Sequence, residues 1–382
     1  MMITRRRNVL LYVKAATAGS LLLALSTAAN AVNIVEMRKT MQKDLDGTVN
    51  GYALVIKKGN ATQAWKKGWA IRPVDVAGGR AMTLGTRSFI ASVTKTITAV
   101  ATLQLLEANN LAITEKISNW LPNDWVKGPG IGQLTFRDLM RHKSGFKQIF
   151  DGLSEQEQAN WGNDWDGLEW IVENGAIPGS TRKYKNANFA LLRVIIPKLW
   201  KASGASDADF EFISKGNNGY LYVWYVTNYI FNPSGIDVGA SCTANTYFQP
   251  QAMAYDANDS SEAGSMSETS WPNCGGHVGL RLSARDLVRF LVHLENGTLL
   301  SPVWRFVMDY YRLGWRKDSN TNSKGRKGKW WHDGVWNKSS NRGYRACIMK
   351  YPGNVVAALV INSRTEGKGA CTILKDSYNN AQ

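Results

Sequence analysis

The stretch from Val93 to Asn109 limits what this chain can fold into more than any other. Val93, Ile97, Val100, Leu103 and Leu106 recur every three to four residues, the spacing of one helical face, and the remaining faces are also largely apolar. A helix apolar nearly all round has no face to give to water, so other elements must enclose it. The chain has the means. It is 382 residues long, 44% hydrophobic and 10% aromatic, with only 20% charged residues. That composition excludes a disordered polyampholyte and suits one large domain or two interleaved ones. No second long apolar run follows the N-terminal one, which excludes a multi-span membrane protein. Collagen-like and coiled-coil compositions are excluded as well.

Around this helix the pattern is strands at both ends and helices between. Asn33 to Asp46 reads as a helix with Ile34, Met37 and Met41 on one face. Asn50–Lys58 and Ala61–Ala70 read as a hairpin across Gly59-Asn60. Ser88–Ala91 is a short apolar piece leading into the central helix. Leu134–Arg141, Ala187–Lys201, Tyr220–Phe231 and Ser283–Leu294 read as helices, the last with Ser283 as N-cap and Asp286 three residues on. Asp256–Glu268 is polar and is expected to be an exposed loop. Trp304–Tyr310 and Ala370–Tyr378 read as short helices, and Tyr344–Lys350 with Val355–Asn362 as a second hairpin. The expected fold class is α+β: an antiparallel sheet formed from both ends of the chain with flanking helices, plus an inserted, mostly helical domain. The sheet region is expected over about 32–90 and 303–382, and the helical region over about 91–302.

The first 31 residues stand apart. Arg5, Arg6 and Arg7 precede an apolar, small-residue run from Ala15 to Ala28, and Ala29-Asn30-Ala31 fits a small-x-small cleavage pattern. This reads as a signal peptide, so residues 32–382 are expected to be exported, periplasmic or secreted, after cleavage near Ala31. Arg6-Arg7 carries a weak hint of twin-arginine export. Without residues 1–31 the chain keeps 42 basic and 30 acidic residues, a formal +12. An anionic cell-envelope surface is therefore a candidate partner, and nucleic acid is not expected. Export permits disulfides, and local pairing of Cys242 with Cys274 and of Cys347 with Cys371 is expected. No C-x-x-C occurs and the four histidines are scattered, so no metal site is expected. His142 and His293 read as structural.

Ser92-Val93-Thr94-Lys95 opens the enclosed helix. Side chains three apart share a helix face, about 5–6 Å apart at Cβ, so an amine can sit beside a hydroxyl. The helix N-terminus adds N–H donors and a field favourable to negative charge. Those are the needs of an activated serine nucleophile. The pattern alone is weak, because Ser144 and Ser180 also begin S-x-x-K runs. Only Ser92 stands between an apolar strand and a buried helix. Tyr184-Lys185-Asn186 precedes another helix, and a tyrosine near cations can move a proton. Tyr378-Asn379-Asn380 shares its spacing in a polar tail. His332-Asp333-Gly334 precedes the C-terminal strands, and His277-Val278-Gly279 repeats that spacing.

Taken in order, Ser92-x-x-Lys95, Tyr184-x-Asn186 and His332-x-Gly334 resemble the serine beta-lactamase and DD-peptidase superfamily. The closest likeness is to its class C beta-lactamase-like branch of esterases, amidases and DD-peptidases. Three flanks agree: Leu134-Thr135-Phe136-Arg137-Asp138-Leu139-Met140-Arg141-His142-Lys143-Ser144-Gly145, Asn186-Ala187-Asn188-Phe189-Ala190-Leu191-Leu192, and Gly275-Gly276 through Ser283-Ala284-Arg285-Asp286-Leu287. The resemblance covers about residues 33 to 365. It implies that Ser92 attacks a carbonyl and forms an acyl-enzyme, with Lys95 helping to deprotonate it. It implies that Tyr184, as phenolate or shared proton carrier, serves the leaving group and later water. Asn186 would hydrogen-bond Lys95 and the acyl side chain, His332 would point towards Tyr184, and the backbone N–H groups of Ser92 and Val335 would form the oxyanion hole beside Gly334. No cofactor is implied.

Two departures bear on substrate. His332 stands where beta-lactamases place lysine, which is closer to the DD-peptidase and esterase members. Asp333 stands where a small or neutral residue is usual. Turned inward, its charge would oppose a substrate carboxylate by about 1–4 kcal/mol at 4 Å. The expected reaction is hydrolysis of a neutral, small-molecule or oligomeric ester or amide. The alternatives are a DD-carboxypeptidase, penicillin-binding protein or beta-lactamase, and a non-catalytic relative that binds cell wall through its basic face. From Arg312 to Lys350 there are eleven Lys and Arg against two acidic residues, interleaved with Trp315, Trp330, Trp331 and Trp336. The plain reading of this run is a solvated loop, Asp318–Lys329, over packed tryptophans. The sharper one is a cleft rim for an anionic substrate.

Overall fold

The computed structural model describes residues 32–146, 164–204, 213–236, 251–257, 261–266, 275–318, 329–337, 342–365 and 367–382. Helix α1 (Ile34–Leu45) starts at Asn33, whose side chain accepts from the N–H groups of Val35 and Glu36. Strands β1 (Gly51–Lys58), β2 (Ala61–Ile71) and β3 (Arg80–Ala81) follow, and then β4 (Ser88–Phe89) leads into α2 (Thr94–Ala108). The middle of the chain supplies α3 (Phe136–Met140), α4 (Trp165–Asn174), α5 (Ala187–Ala202), α6 (Asn218–Val226), β5 (Arg281–Leu282) and α7 (Ala284–Glu295). After α8 (Pro302–Tyr311) come β6 (Arg316–Lys317), β7 (Trp330–Asn337), β8 (Gly343–Tyr351), β9 (Val355–Ile361) and the closing helix α9 (Ala370–Asn380).

The main sheet has seven strands in the order β3-β2-β1-β9-β8-β7-β6, with every neighbouring pair antiparallel. Its two halves come from opposite ends of the chain and meet where β1 pairs with β9, Leu54 opposite Leu359. The α+β arrangement expected from the sequence is therefore present. Both faces of the sheet are covered. Tyr52, Leu54 and Ile56 pack with Met37, Met41 and Leu374 on the face held by α1 and α9. Ala53 and Val55 point the other way, into a core with α2, α5 and α7. Double coverage is why β9 is apolar at every position rather than alternating. Cys347 and Cys371 form a disulfide that ties β8 to α9, as expected; Cys242 and Cys274 lie outside the described residues.

Helix α2 is enclosed as its composition requires. Thr94 through Leu103 are all buried, and each of Ile97, Val100 and Leu103 contributes about 1.5–3 kcal/mol through burial. Thr96, Thr98 and Thr102 satisfy their hydroxyls locally or across the core. Thr96 donates to the Gly314 carbonyl (2.9 Å) and Thr102 to that of Thr98 (2.8 Å). Helices α3 and α7 begin with reciprocal Thr135–Asp138 and Ser283–Asp286 capping boxes.

Three expectations need correction. Helix α4, unassigned in the sequence reading, buries Trp165, Leu168, Ile171 and Val172 and is capped by Asp164. His332 lies within a strand, β7, rather than ahead of the strands. The polar segment after Tyr255 is not wholly a surface loop, because Ser265 is buried and bridges to Ala254; its residues 258–260 and 267–268 are outside the described set, as are 319–328 of the basic run.

Candidate active site

The turn that carries Ser92 is held from both sides. Strand β4 pairs with β5, and the Ile90 N–H donates to the Leu280 carbonyl at 3.1 Å. The next residue, Ala91, has φ +44°, a left-handed conformation that L-residues seldom adopt and that costs about 1–3 kcal/mol. From there Ala91–Val93 makes one 3₁₀ turn and α2 begins. On the opposite side β7 comes so close that a Cβ on Gly334 would lie 2.1 Å from the Ile90 carbonyl oxygen. Only glycine allows that approach.

Three expected residues meet here. Lys95 Nζ lies 2.9 Å from Ser92 Oγ, and the Tyr184 hydroxyl donates to the same oxygen at 2.8 Å. Lys95 is fully buried. Burial pushes its pKa well below the ordinary lysine value, with Asp333 opposing and Arg316 adding to the shift. Burial also pushes Tyr184 up to about 12, against the opposing Ser92 hydrogen bond. The site thus favours a neutral amine and a protonated phenol. Neither Ser144 nor Ser180 has such an arrangement: Ser144 Oγ accepts from the Phe146 N–H and Ser180 donates to the Lys143 carbonyl. Tyr378 is spent on the Pro352 carbonyl.

The other expected residues are near but bonded differently. Asn186 sits at the start of α5, but its Oδ1 is buried without a partner and is not bonded to Lys95. The second partner of Lys95 is instead the His277 carbonyl, at 2.8 Å. His332 does not reach Tyr184 by a hydrogen bond among the described residues. Its Nδ1–H donates to the Asp333 carbonyl at 2.8 Å, which leaves Nε2 with its lone pair. Burial lowers the His332 pKa to about 4, so the ring is neutral at pH 7. Val335 is half-exposed on β7. Strand β6 pairs with β7 only at Trp330 and Trp331, so among the described residues the edge from His332 to Asn337 has no strand beside it.

Several contributors carried no sequence signal. The His277 carbonyl is one, since a main-chain acceptor has no residue signature. His142 is another. It has φ +56°, its ring centroid lies 4.5 Å from that of Tyr184, and its Nδ1 faces the Lys185 N–H (3.3 Å) and Asn188 Nδ2 (3.2 Å). Burial drives its pKa down to about 2, so it stays neutral while it braces Tyr184. Arg316 is the third. It lies 5.5 Å from the Tyr184 ring centroid and 3.6 Å from Asp333 Oδ1. Asp333 is thus paired with Arg316. No cluster of three or more His, Cys, Asp or Glu among the described residues is placed to hold a metal ion.

Comparison with known proteins bears on the fold and the family. Protein flp of Staphylococcus aureus (strain N315) is 23% identical over 297 residues, 73% of this chain and 55% of that protein. The chain therefore spans about half the length of the curated relatives it matches first. The octameric penicillin-binding protein homologue from Pyrococcus abyssi shares the fold with a TM-score of 0.66 and 21% identity, over 91% of this chain and 77% of that one. A D-stereospecific amidohydrolase from Streptomyces sp. does so with a TM-score of 0.63 and 20% identity, over 91% and 98%. The Beta-lactamase family model matches residues 37–374, and the chain belongs to that family.

Proposed function

We propose that this protein is an exported serine hydrolase that cleaves ester or amide bonds through an acyl-enzyme on Ser92. The observation that carries the reading is the convergence of Lys95 Nζ and the Tyr184 hydroxyl on Ser92 Oγ, at 2.9 and 2.8 Å. A neutral Lys95 takes the Ser92 proton as Oγ bonds to the substrate carbonyl carbon. The His277 carbonyl holds one of its N–H groups and so aims the lone pair. The N–H groups of Ser92 and Val335 receive the developing oxyanion. As the C–O or C–N bond breaks, Tyr184 passes its proton to the leaving group and is reprotonated from Lys95. Water then repeats the sequence on the acyl-enzyme, returning the acid product and the Ser92 hydroxyl. With its phenol pushed up to about 12, Tyr184 acts here as a shared proton carrier and not as a standing phenolate. Asn186 Oδ1, buried and unpartnered, is available to a substrate N–H.

Export rests on the leader-like first 31 residues, and the Cys347–Cys371 disulfide suits an oxidising compartment. N-terminal sequencing of the secreted product should begin at Val32. The test of the chemistry is hydrolysis of a short-chain nitrophenyl ester by the protein and by Ser92→Ala. Loss of turnover in the variant is expected. Equal rates in both, or none in either, would overturn the Ser92 esterase reading, and labelling of the protein but not of Ser92→Ala by a fluorescent penicillin would then decide for a penicillin-binding protein.

A further inference from the structure

A cavity of about 300 Å³ opens beside His142 and His332, between the residues that follow α3, the segment before Tyr184, and the turn from α8 into β6. Arg141, Lys143, Arg182, Arg312, Arg316 and Lys317 line it, and no Asp or Glu does. Two of its lining residues, His142 and Arg316, also face Tyr184: the His142 ring is tilted against that of Tyr184 with centroids 4.5 Å apart, and the Arg316 guanidinium lies 5.5 Å from the same ring. Of the six cations, Arg316 has a carboxylate in reach, Asp333 at 3.6 Å. Among the described residues the other five form no salt bridge.

Six cations gathered in a concave space without matching carboxylates repel one another. Burial, then Arg316 and Arg312, pull the Arg182 guanidinium below its ordinary pKa. Such an arrangement costs stability in the empty protein, and a bound anion relieves it. One carboxylate would neutralise one of the five unpaired cations. A phosphate-type dianion neutralises two and offers three acceptor oxygens to the planar guanidinium forks. An anionic substrate departs from the neutral one expected from Asp333, whose carboxylate is not among the cavity's lining residues and lies 3.6 Å from Arg316.

We propose that the substrate carries a phosphate-class anion, which seats in this cavity while its ester or amide lies at Ser92. This rests on the acyl-enzyme reading above and narrows its substrate class. The test compares kcat/KM of the full-length protein, at low ionic strength, for acetyl esters of glycerol, glycolate and glycerol 3-phosphate. The phosphate ester should exceed the glycerol ester by about tenfold or more, the scale of a charge-assisted contact. That advantage should shrink as salt is raised. Arg141→Gln and Arg182→Gln should each lower the phosphate-to-neutral ratio. Equal constants for the three esters would overturn the proposal, and so would a glycolate ester that matches the phosphate one. Binding of glycerol 3-phosphate to Ser92→Ala, measured by calorimetry, keeps the two readings apart. Binding that Arg182→Gln abolishes, with no turnover of any ester, would support the anion site while removing the hydrolase. Absence of binding together with turnover of the neutral ester would do the reverse.

Discussion

Gly334→Ala probes the packing that aligns the two sides of the active site. The added Cβ would stand 2.1 Å from the Ile90 carbonyl oxygen and 3.4 Å from the Ala346 Cβ. The second contact is ordinary; the first is not. Neither side can give easily. Ile90 is fixed by its bond to Leu280 and opens the turn that presents Ser92, while Gly334 lies in a strand paired with Ala346 of β8. Relief requires the strand and the turn to separate by roughly 1 Å, and a misplacement of that size costs on the order of 10²-fold in rate. Overpacking of this kind also costs about 1–3 kcal/mol of stability. The variant should therefore fold, unfold at lower urea, and hydrolyse a nitrophenyl ester about a hundredfold more slowly, chiefly through kcat. A variant with wild-type kcat and wild-type urea midpoint would refute the idea that close contact between β7 and the Ser92 turn sets the geometry.

Other outcomes follow from the same site. Because Lys95 must be neutral and burial lowers its pKa, kcat/KM should fall only on the acid side, as pH drops through that lowered value. Lys95→Arg, which stays protonated, should lose turnover across the whole range. His332 is buried and neutral, with a pKa lowered from 6.5 to about 4. The unfolded chain therefore binds the extra proton between these values, so the stability this group confers is complete above pH 6.5 and is lost as pH falls towards 4. In urea titrations across that window, His332→Asn should flatten the slope of stability against pH by about 1.4 kcal/mol per unit. An unchanged slope would mean that His332 is not held neutral. Replacing Cys347 and Cys371 together by Ser removes a link across 24 residues and should cost about 2–4 kcal/mol in a denaturant melt, with ester turnover kept at 25 °C.

The elements legible in the sequence were those written in local periodicity. The all-round apolar pattern of α2, the one-sided apolar face of α1, the Ser283 cap and the β8–β9 hairpin each lie within a few turns of chain, and each is present. Strand β7 escaped notice because Gly334, two charged or titratable neighbours and three tryptophans hide its alternation. It is a strand because β8 pairs along its whole length, which no local window contains.

The same division runs through the site. Ser92 and Lys95 were readable together because three residues on a helix share a face, and the helix alone brings their side chains within reach. Tyr184 is 92 residues away from Ser92, and the His277 carbonyl 182 from Lys95. Their approach depends on how α5 and the segment before β5 pack around α2. The cavity cations come from residues 141–143, 182 and 312–317, three stretches with no shared motif. The sequence showed an excess of positive charge and a nucleophile. Only the tertiary structure decided that the two lie side by side, because the folding of distant segments around one buried helix determines which charges end up facing the same space.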